Sequence, residues 1–204
     1  MVEKTTNVQL EIINLFRSDY LIQFHVREMA KLTKKSHVTL LPHLKALKKD
    51  KIIVSKIIGK NKQYSLNFEN ISTKNYITLS ETITTNSLLE EVFLIKKITK
   101  EIFSLNLAGT IILFGSYAKK TFHVGSDIDF FYLGQISKKE IQDIKNIGKT
   151  YGKTINIKNS SVKNFTSSLG KKEPLIVEVI KNHVILQNPD PFINSLWRYY
   201  DERR

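Results

Sequence analysis

Two aspartates separated by a single residue, Asp127 and Asp129, are the side chains of this sequence best suited to chemistry. They open the alternating run Asp127-Ile128-Asp129-Phe130-Phe131-Tyr132-Leu133. A period of two puts both carboxylates on one face of a strand, close together. Such a pair repels unless a divalent cation lies between its members, and oxygen-only ligands at an open strand edge suit Mg2+. Upstream, Gly115-Ser116 follows the apolar stretch Thr110–Phe114. A glycine leaving a strand lets the backbone approach a triphosphate, and the next turn offers its N–H groups to the anion. Ser116 adds a hydroxyl donor, and Ser126, next to the aspartates, completes the candidate nucleotide-binding set of Gly115, Ser116 and Ser126.

These residues need elements to hold them. Thr110–Phe114 is expected as a strand, Tyr117–Phe122 as a helical turn and 127–133 as the second strand. Lys153–Lys158 is a further strand, with Asn156 at its inward polar position. Helices are expected over Ser161–Leu169, capped by Ser160 or Ser161, and over Pro174–Lys181, followed by a short strand Val184–Leu186. A last helix follows Pro189 and Pro191 and carries Trp197, Tyr199 and Tyr200, aromatics that suit a core or dimer contact. Arg198, Arg203 and Arg204 are expected to be solvated.

The first seventy residues have a different pattern. Asn7–Phe16 spaces Val8, Ile12, Leu15 and Phe16 as one helical face, and His25–Leu32 does so with Val26, Met29, Ala30 and Leu32. After a turn at Thr33–Ser36, HVTLLPHLKALKKD carries the stripe Leu40, Leu41, Leu44 and Leu47. Pro42 lacks a backbone donor, so this helix either starts near Thr39, with Pro42 in its first turn, or bends there. KIIVSKII and KQYSLNF are expected as strands joined by a turn at Gly59-Lys60-Asn61. Residues 71–104 form a helical connector, with a helix from Ser87 to Phe103 capped by Asn86. His25, His37 and His43 lack the i, i+4 spacing of a helical metal site.

Composition bounds the rest. The 204 residues are 41% hydrophobic and 25% charged, which suits one large or two small folded domains. Without cysteine, disulfides and thiolate metal sites are excluded. No apolar run approaches membrane-span length, and the N-terminus lacks a signal peptide's basic start and apolar centre, so a cytoplasmic location is expected. The net charge of +13 is shared by both halves, since residues 1–70 hold 13 basic and 6 acidic side chains. Such an excess favours a polyanionic partner, although a lysine-rich surface arising from genome composition would look the same.

The string HVREMAKLTKKSHVTLLPHLKALKKDKII, with two strands after it, resembles a winged helix-turn-helix domain. That resemblance implies DNA binding through Ser36, His37, Thr39, His43 and Lys45 on the third helix and Lys60, Asn61 and Lys62 on the wing. An apolar strand, Gly-Ser, ten residues and then D-x-D resembles the polymerase-beta-type nucleotidyltransferases, in particular the minimal ones of prokaryotes. The two resemblances together imply an α+β chain: a winged helix-turn-helix domain over 1–70, the connector, and a small mixed-sheet nucleotidyltransferase domain with flanking helices over 105–204.

The second resemblance implies Mg2+-dependent transfer of a nucleotidyl group from an NTP to a hydroxyl acceptor. Asp127 and Asp129 become catalytic metal ligands of a two-metal site. The pattern often has glycine where Lys120 stands, and Lys119 and Lys120 are further phosphate candidates. It also has a third carboxylate where Asn156 stands, and Asn156 supplies no charge and no base. Where Asn156 cannot substitute, a single metal is expected. Glu173 and Glu178 are not expected to replace that carboxylate. Minimal nucleotidyltransferases commonly act as antitoxins that modify a partner toxin. NTP, DNA and a partner toxin or other acceptor protein are therefore the expected partners, and a homodimer is left open. The alternative is a DNA-binding transcriptional regulator, or an antitoxin-like protein, whose nucleotide-sensing domain is catalytically weak. A purely structural nucleic-acid-binding protein is a third reading.

Overall fold

Where apolar residues recur at helical spacing near the N-terminus, helices form, but their ends are set by side-chain caps. The computed structural model describes residues 7–59 and 61–204, so Lys60 lies outside the described residues. The chain divides into two compact units, one reaching to Glu81 and including Tyr200–Arg204, the other Thr82–Tyr199.

In the first unit, α1 (Asn7–Asn14) buries Leu10, Ile12 and Ile13, whereas Val8 and Leu15 are only half-buried. Strand β1 (Phe24–His25) leads directly into α2 (Val26–Thr33). His25 caps that helix: its Nδ1 accepts from the Arg27 N–H at 3.2 Å, while Glu28 accepts from the His25 N–H at 2.7 Å. Met29 is fully buried, but Leu32, expected inward, is 56% exposed because it lies off the Met29 face.

Helix α3 (His37–Lys49) begins where the Ser36 hydroxyl accepts from the Thr39 N–H at 3.0 Å. That cap starts the helix two residues earlier than the Thr39 start expected from Pro42. Pro42 therefore sits inside the helix rather than in its first turn. Leu40, Leu44 and Leu47 form the buried stripe, spaced by four and three residues. Leu41, one residue off that stripe, is 46% exposed, contrary to expectation. Strands β2 (Ile53–Ile58) and β3 (Asn61–Leu66) form an antiparallel hairpin entered through Gly59, whose φ of 61° is the left-handed conformation glycine permits. β1 pairs with the other edge of β3, giving the order β1-β3-β2.

Helix α4 (Ser72–Glu91) follows. Within the first unit, the Arg17 guanidinium forks onto Glu81, with Nη2–Oε2 2.7 Å and Nε–Oε1 3.2 Å, and the Glu81 side chain is 2% exposed. Arg204, expected to be solvated, pairs with Asp201 at 2.7 Å and with Glu69 at 2.5 Å. Tyr200 lies against Tyr20, ring centroids 5.2 Å apart.

In the second unit the expected helix start at Asn86 is not found, because α4 runs through Asn86 to Glu91. The break falls at Val92 (φ −115°, ψ 82°), and α5 (Phe93–Phe103) begins after it. Leu88, Val92, Ile95, Ile98 and Ile102 all enter one core. That core is built on a four-stranded sheet, β6-β5-β4-β7. Its strands are β4 (Thr110–Phe114), β5 (Ile128–Leu133), β6 (Ile155–Ser160) and β7 (Val184–Gln187). β4 is buried along its whole length and pairs antiparallel with both neighbours, Phe114 facing Asp129 and Ile112 facing Ile185.

β5 and β6 are parallel, with Asp129 opposite Asn156. Parallel neighbours need a crossover. It is α7 (Lys138–Thr150), a helix the sequence patterns above did not include. The remaining helices are α6 (Gly115–Ala118), α8 (Val162–Gly170, capped by Ser161), α9 (Pro174–Lys181) and α10 (Asp190–Asp201). Among the described residues no helix is long and apolar enough to cross a membrane.

Candidate functional site

The register of the second sheet determines where the polar groups meet. Phe114, the last residue of β4, pairs with Asp129, so the chain leaves β4 directly alongside that carboxylate. Gly115 makes the exit with φ of 70°. A Cβ added there would lie 2.5 Å from Asp129 Oδ2. Glycine is thus required twice, by the left-handed backbone and by the carboxylate against it.

The one-turn helix α6 begins at Gly115 itself, earlier than the turn expected from Tyr117. It closes with the Lys119 N–H donating to the Gly115 carbonyl at 3.1 Å and the Thr121 N–H to the Ser116 carbonyl at 3.0 Å. Lys120 sits in the left-handed region at φ 58°. This position therefore suits glycine by its backbone shape, and lysine adopts that shape at a cost of about 1–2 kcal/mol. The Lys119 ammonium is 2.8 Å from Glu178, and the Lys120 ammonium is paired with Glu91. Both pairs are solvent-exposed, so another anion can compete for either lysine. Glu178 is thus a partner of Lys119, while Glu173 stands at the start of α9.

The loop from Thr121 to Asp127 holds itself in place. The His123 N–H donates to the Ser126 hydroxyl at 2.9 Å, and the Ser126 N–H to the His123 carbonyl at 3.0 Å. The Gly125 N–H donates to His123 Nδ1 at 3.2 Å. Ser126 is buried, and its hydroxyl is used in shaping this loop. Lys153, just before β6, donates to the Val124 carbonyl and, at 3.4 Å, to that of Ser126. This anchor was not identified from the sequence, because a lone lysine before a strand carries no distinctive pattern.

Beyond the loop, Asp127 is exposed and Asp129 half-buried, with Ile128 fully buried between them, as a period of two requires. Asn156 reaches both carboxylates: its Nδ2 is 3.1 Å from Asp129 Oδ1 and 3.4 Å from Asp127 Oδ2. The third position of the acidic edge is therefore an amide whose NH2 group faces the two acids, since only that end of an amide can donate. The described residues contain no group of three or more His, Asp or Glu side chains arranged to hold a metal. Two carboxylates remain. A Mg2+ ion commonly keeps several waters and takes one or two carboxylates plus substrate phosphate oxygens, so the donor set suits a cation that arrives with a triphosphate. An aromatic hollow opens beside the loop, where Tyr117 and Phe122 stack with centroids 4.3 Å apart and planes 7° from parallel.

In the first unit, Ser36, His37, Thr39 and Lys45 are exposed on or beside α3, and His43 is half-buried. The Ser36 hydroxyl lies 2.8 Å from that of Thr39, so both are engaged at the helix start. Asn61 and Lys62 are exposed at the start of β3, and the Lys62 ammonium lies 5.4 Å from the centre of the Tyr64 ring. Lys48 and Lys49 line a groove with Lys45 and Lys62, a grouping that linear spacing does not display.

Comparison with known proteins agrees with the second unit's architecture. Residues 94–196 match the family model described as a nucleotidyltransferase domain. Among solved structures, "Crystal structure of the toxin-antitoxin with AMP-PNP" is 17% identical, with a TM-score of 0.37, and the match covers 53% of this chain and 84% of that one. Comparison with curated proteins gives no match. The family model takes in half of the chain, including the Gly-Ser turn and the D-x-D strand, and on that ground the chain belongs to the nucleotidyltransferase domain family, of the polymerase-beta type.

Proposed function

We propose that the second unit binds an NTP with Mg2+ and transfers its nucleotidyl group to a hydroxyl of an acceptor, the hydroxyl giving up its proton and the α–β phosphoanhydride bond breaking to release pyrophosphate, while the first unit is a winged helix-turn-helix that binds DNA. The observation that carries the first part is the packing of the Gly115 backbone against Asp129. It brings the backbone turn at Gly115 and a pair of carboxylates to one end of the sheet. Bound at Asp127 and Asp129, Mg2+ would supply charge neutralisation for the phosphates and polarisation of the reacting group. The chain's own residues do the positioning. Gly115 brings the backbone close against the Asp129 carboxylate, Ser116 adds a hydroxyl, Lys153 and Ser126 hold the loop before Asp127, and Lys119 and Lys120 are cations within the same turn.

Asn156 favours a second reading in which nucleotide is bound and turnover is slow, so that the domain reports nucleotide to a DNA-bound regulator. The amide adds neither charge nor a base to the edge. For the first unit, three helices followed by a hairpin, with a short strand paired to it, support the winged-helix reading.

The test is to incubate the protein with Mg2+, labelled NTPs and candidate acceptors, including partner proteins, beside Asp127→Ala and Asp129→Ala. Labelling that needs Mg2+ and vanishes in both variants supports the transferase. Tight Mg2+-dependent nucleotide binding with no labelling supports the sensor, and no nucleotide binding refutes both.

A further inference from the structure

The side chains expected to face a DNA groove from the start of α3 are partly used by the helix itself. The Ser36 hydroxyl accepts from the Thr39 N–H at 3.0 Å and bonds the Thr39 hydroxyl at 2.8 Å. Of their exposed neighbours, Val38 is apolar and 65% exposed, and His37 is polar. With the Ser36 and Thr39 hydroxyls engaged, this surface offers few side chains besides His37 to read the donors and acceptors of base edges.

The cations gather elsewhere. Lys45, Lys48 and Lys49 of α3 and Lys62 of β3 line one groove, with Tyr64, the exposed Leu41 and the buried Leu44 between them, and no acidic side chain is among its lining residues. Lys48 and Lys49 stand in the last turn of α3, where the helix dipole alone favours cations. The dipole does not explain Lys45, a turn earlier, nor Lys62, which comes from another element and sits over the Tyr64 ring. Lys45, Lys48 and Lys62 bring like charges to one groove, and a polyanion relieves their repulsion better than separate counterions do.

We infer that this groove between α3 and β3 clamps the sugar–phosphate backbone of duplex DNA, so that the chain binds DNA by charge and shape rather than by sequence. The inference rests on the DNA-binding reading of the first unit and adds the site and the mode. Lys48 and Lys49 become phosphate contacts beside Lys45 and Lys62. Backbone contacts fix the position of a protein on the duplex and carry no sequence information of their own.

The experiment uses the full chain and fluorescence anisotropy on two DNA duplexes of unrelated sequence and one RNA duplex, over a range of salt. Four phosphate contacts give a slope of log K against log salt of about −3.6, so a fourfold rise in salt weakens binding about 150-fold. The double variant Lys48→Gln/Lys49→Gln should lose about two units of slope, leaving about a 12-fold loss over the same range, equally on both DNA sequences. Lys138→Gln/Lys139→Gln, two exposed lysines of α7, should keep the wild-type slope. A groove variant with the wild-type slope, on DNA that still binds, overturns the groove and leaves the DNA reading standing. No binding of either DNA at low salt overturns the DNA reading itself. Tighter binding of the RNA duplex overturns the assignment to DNA, and a large preference for one DNA sequence overturns the backbone mode.

Discussion

Gly115→Ala separates the nucleotide site from the stability of the domain, because the structure puts a different kind of neighbour at each of two glycines. At Gly115 the nearest atom to a new Cβ is Asp129 Oδ2, 2.5 Å away, the free end of a rotatable side chain. The carboxylate can turn aside, so the main folding cost is the left-handed backbone at φ 70°, about 1–2 kcal/mol. At Gly109 a Cβ would meet the Tyr132 ring at 2.4 Å and the Leu133 carbonyl at 2.6 Å. Neither yields easily, since the Tyr132 hydroxyl accepts from the Gly109 N–H at 2.7 Å and the ring is buried. Overpacking of that kind costs about 3 kcal/mol. In a chain of this size about 1 kcal/mol moves Tm by roughly 2–4 °C. Gly115→Ala should therefore lower Tm by about 2–8 °C and Gly109→Ala by more. Nucleotide binding should show the opposite order. Gly115→Ala displaces a proposed metal ligand and loses the Mg2+-dependent rise in Tm on adding NTP, whereas Gly109→Ala keeps it. Thermal unfolding with and without Mg2+ and NTP reads both effects. The reasoning fails if Gly115→Ala keeps the full ligand-induced shift, or if it is the less stable of the two.

Further perturbations follow from the same geometry. Lys120→Gly should raise stability by up to about 1 kcal/mol, because glycine takes φ 58° without the lysine's steric cost; denaturant unfolding measures it. Arg17→Met should lower stability by about 3 kcal/mol, because it removes the cation that compensates the buried Glu81 carboxylate, and the midpoint in urea reports the loss. The Ser137 hydroxyl, and then its backbone N–H, hold the Glu140 carboxyl below its ordinary range. Its contribution to α7 is thus complete above the ordinary glutamate value and is lost as pH falls through the lowered one, which amide exchange in α7 followed down the acid range will show. Asn156→Asp puts a third carboxylate opposite Asp129, so Tm in EDTA should fall by several degrees and the stabilisation gained from Mg2+ should grow. An unchanged response to Mg2+ would show that position 156 does not face the cation.

Much of the second sheet was legible because its inner strands are short, nearly continuous apolar runs, buried along most of their length. The strand period of two alone sets Asp127 and Asp129 on one side of β5, and the parallel register of β6 then brings Asn156 opposite Asp129. Helix α7 was equally visible in principle. Ser137 and Glu140 form a capping box, and Ile141, Ile144 and Ile147 follow at helical spacing, with Ile144 buried. What the sequence hid depends on packing between elements. Leu32 and Leu41 are as apolar as their buried neighbours, and only the facing surface decides which leucine is covered. The Val92 break contains neither glycine nor proline. It arises where α4 and α5 turn their apolar residues toward one core. The lysine groove joins residues on α3 to one on β3 and exists only after the hairpin folds back.

The two departures from the expected nucleotidyltransferase pattern have different physical weight. Where glycine is often found, Lys120 keeps the left-handed backbone and the same turn closure, so the exchange changes strain and surface charge while the site keeps its shape. Where a carboxylate is expected, Asn156 keeps the register and the reach to both aspartates, so the exchange keeps the shape and removes a charge. On the proposed reading, phosphate binding at the Gly115 turn would depend on shape, which neither change alters, and would gain from the charge of Lys120. The electrostatics of the metal edge depend on charge and are sensitive to the second alone. If the proposed reading holds, nucleotide affinity and transfer rate are separable in this chain, the first set by the Gly115 turn and the second by position 156. Asn156→Asp should raise the rate of transfer far more than it tightens nucleotide binding. Equal gains in both would show that the amide limits binding rather than chemistry.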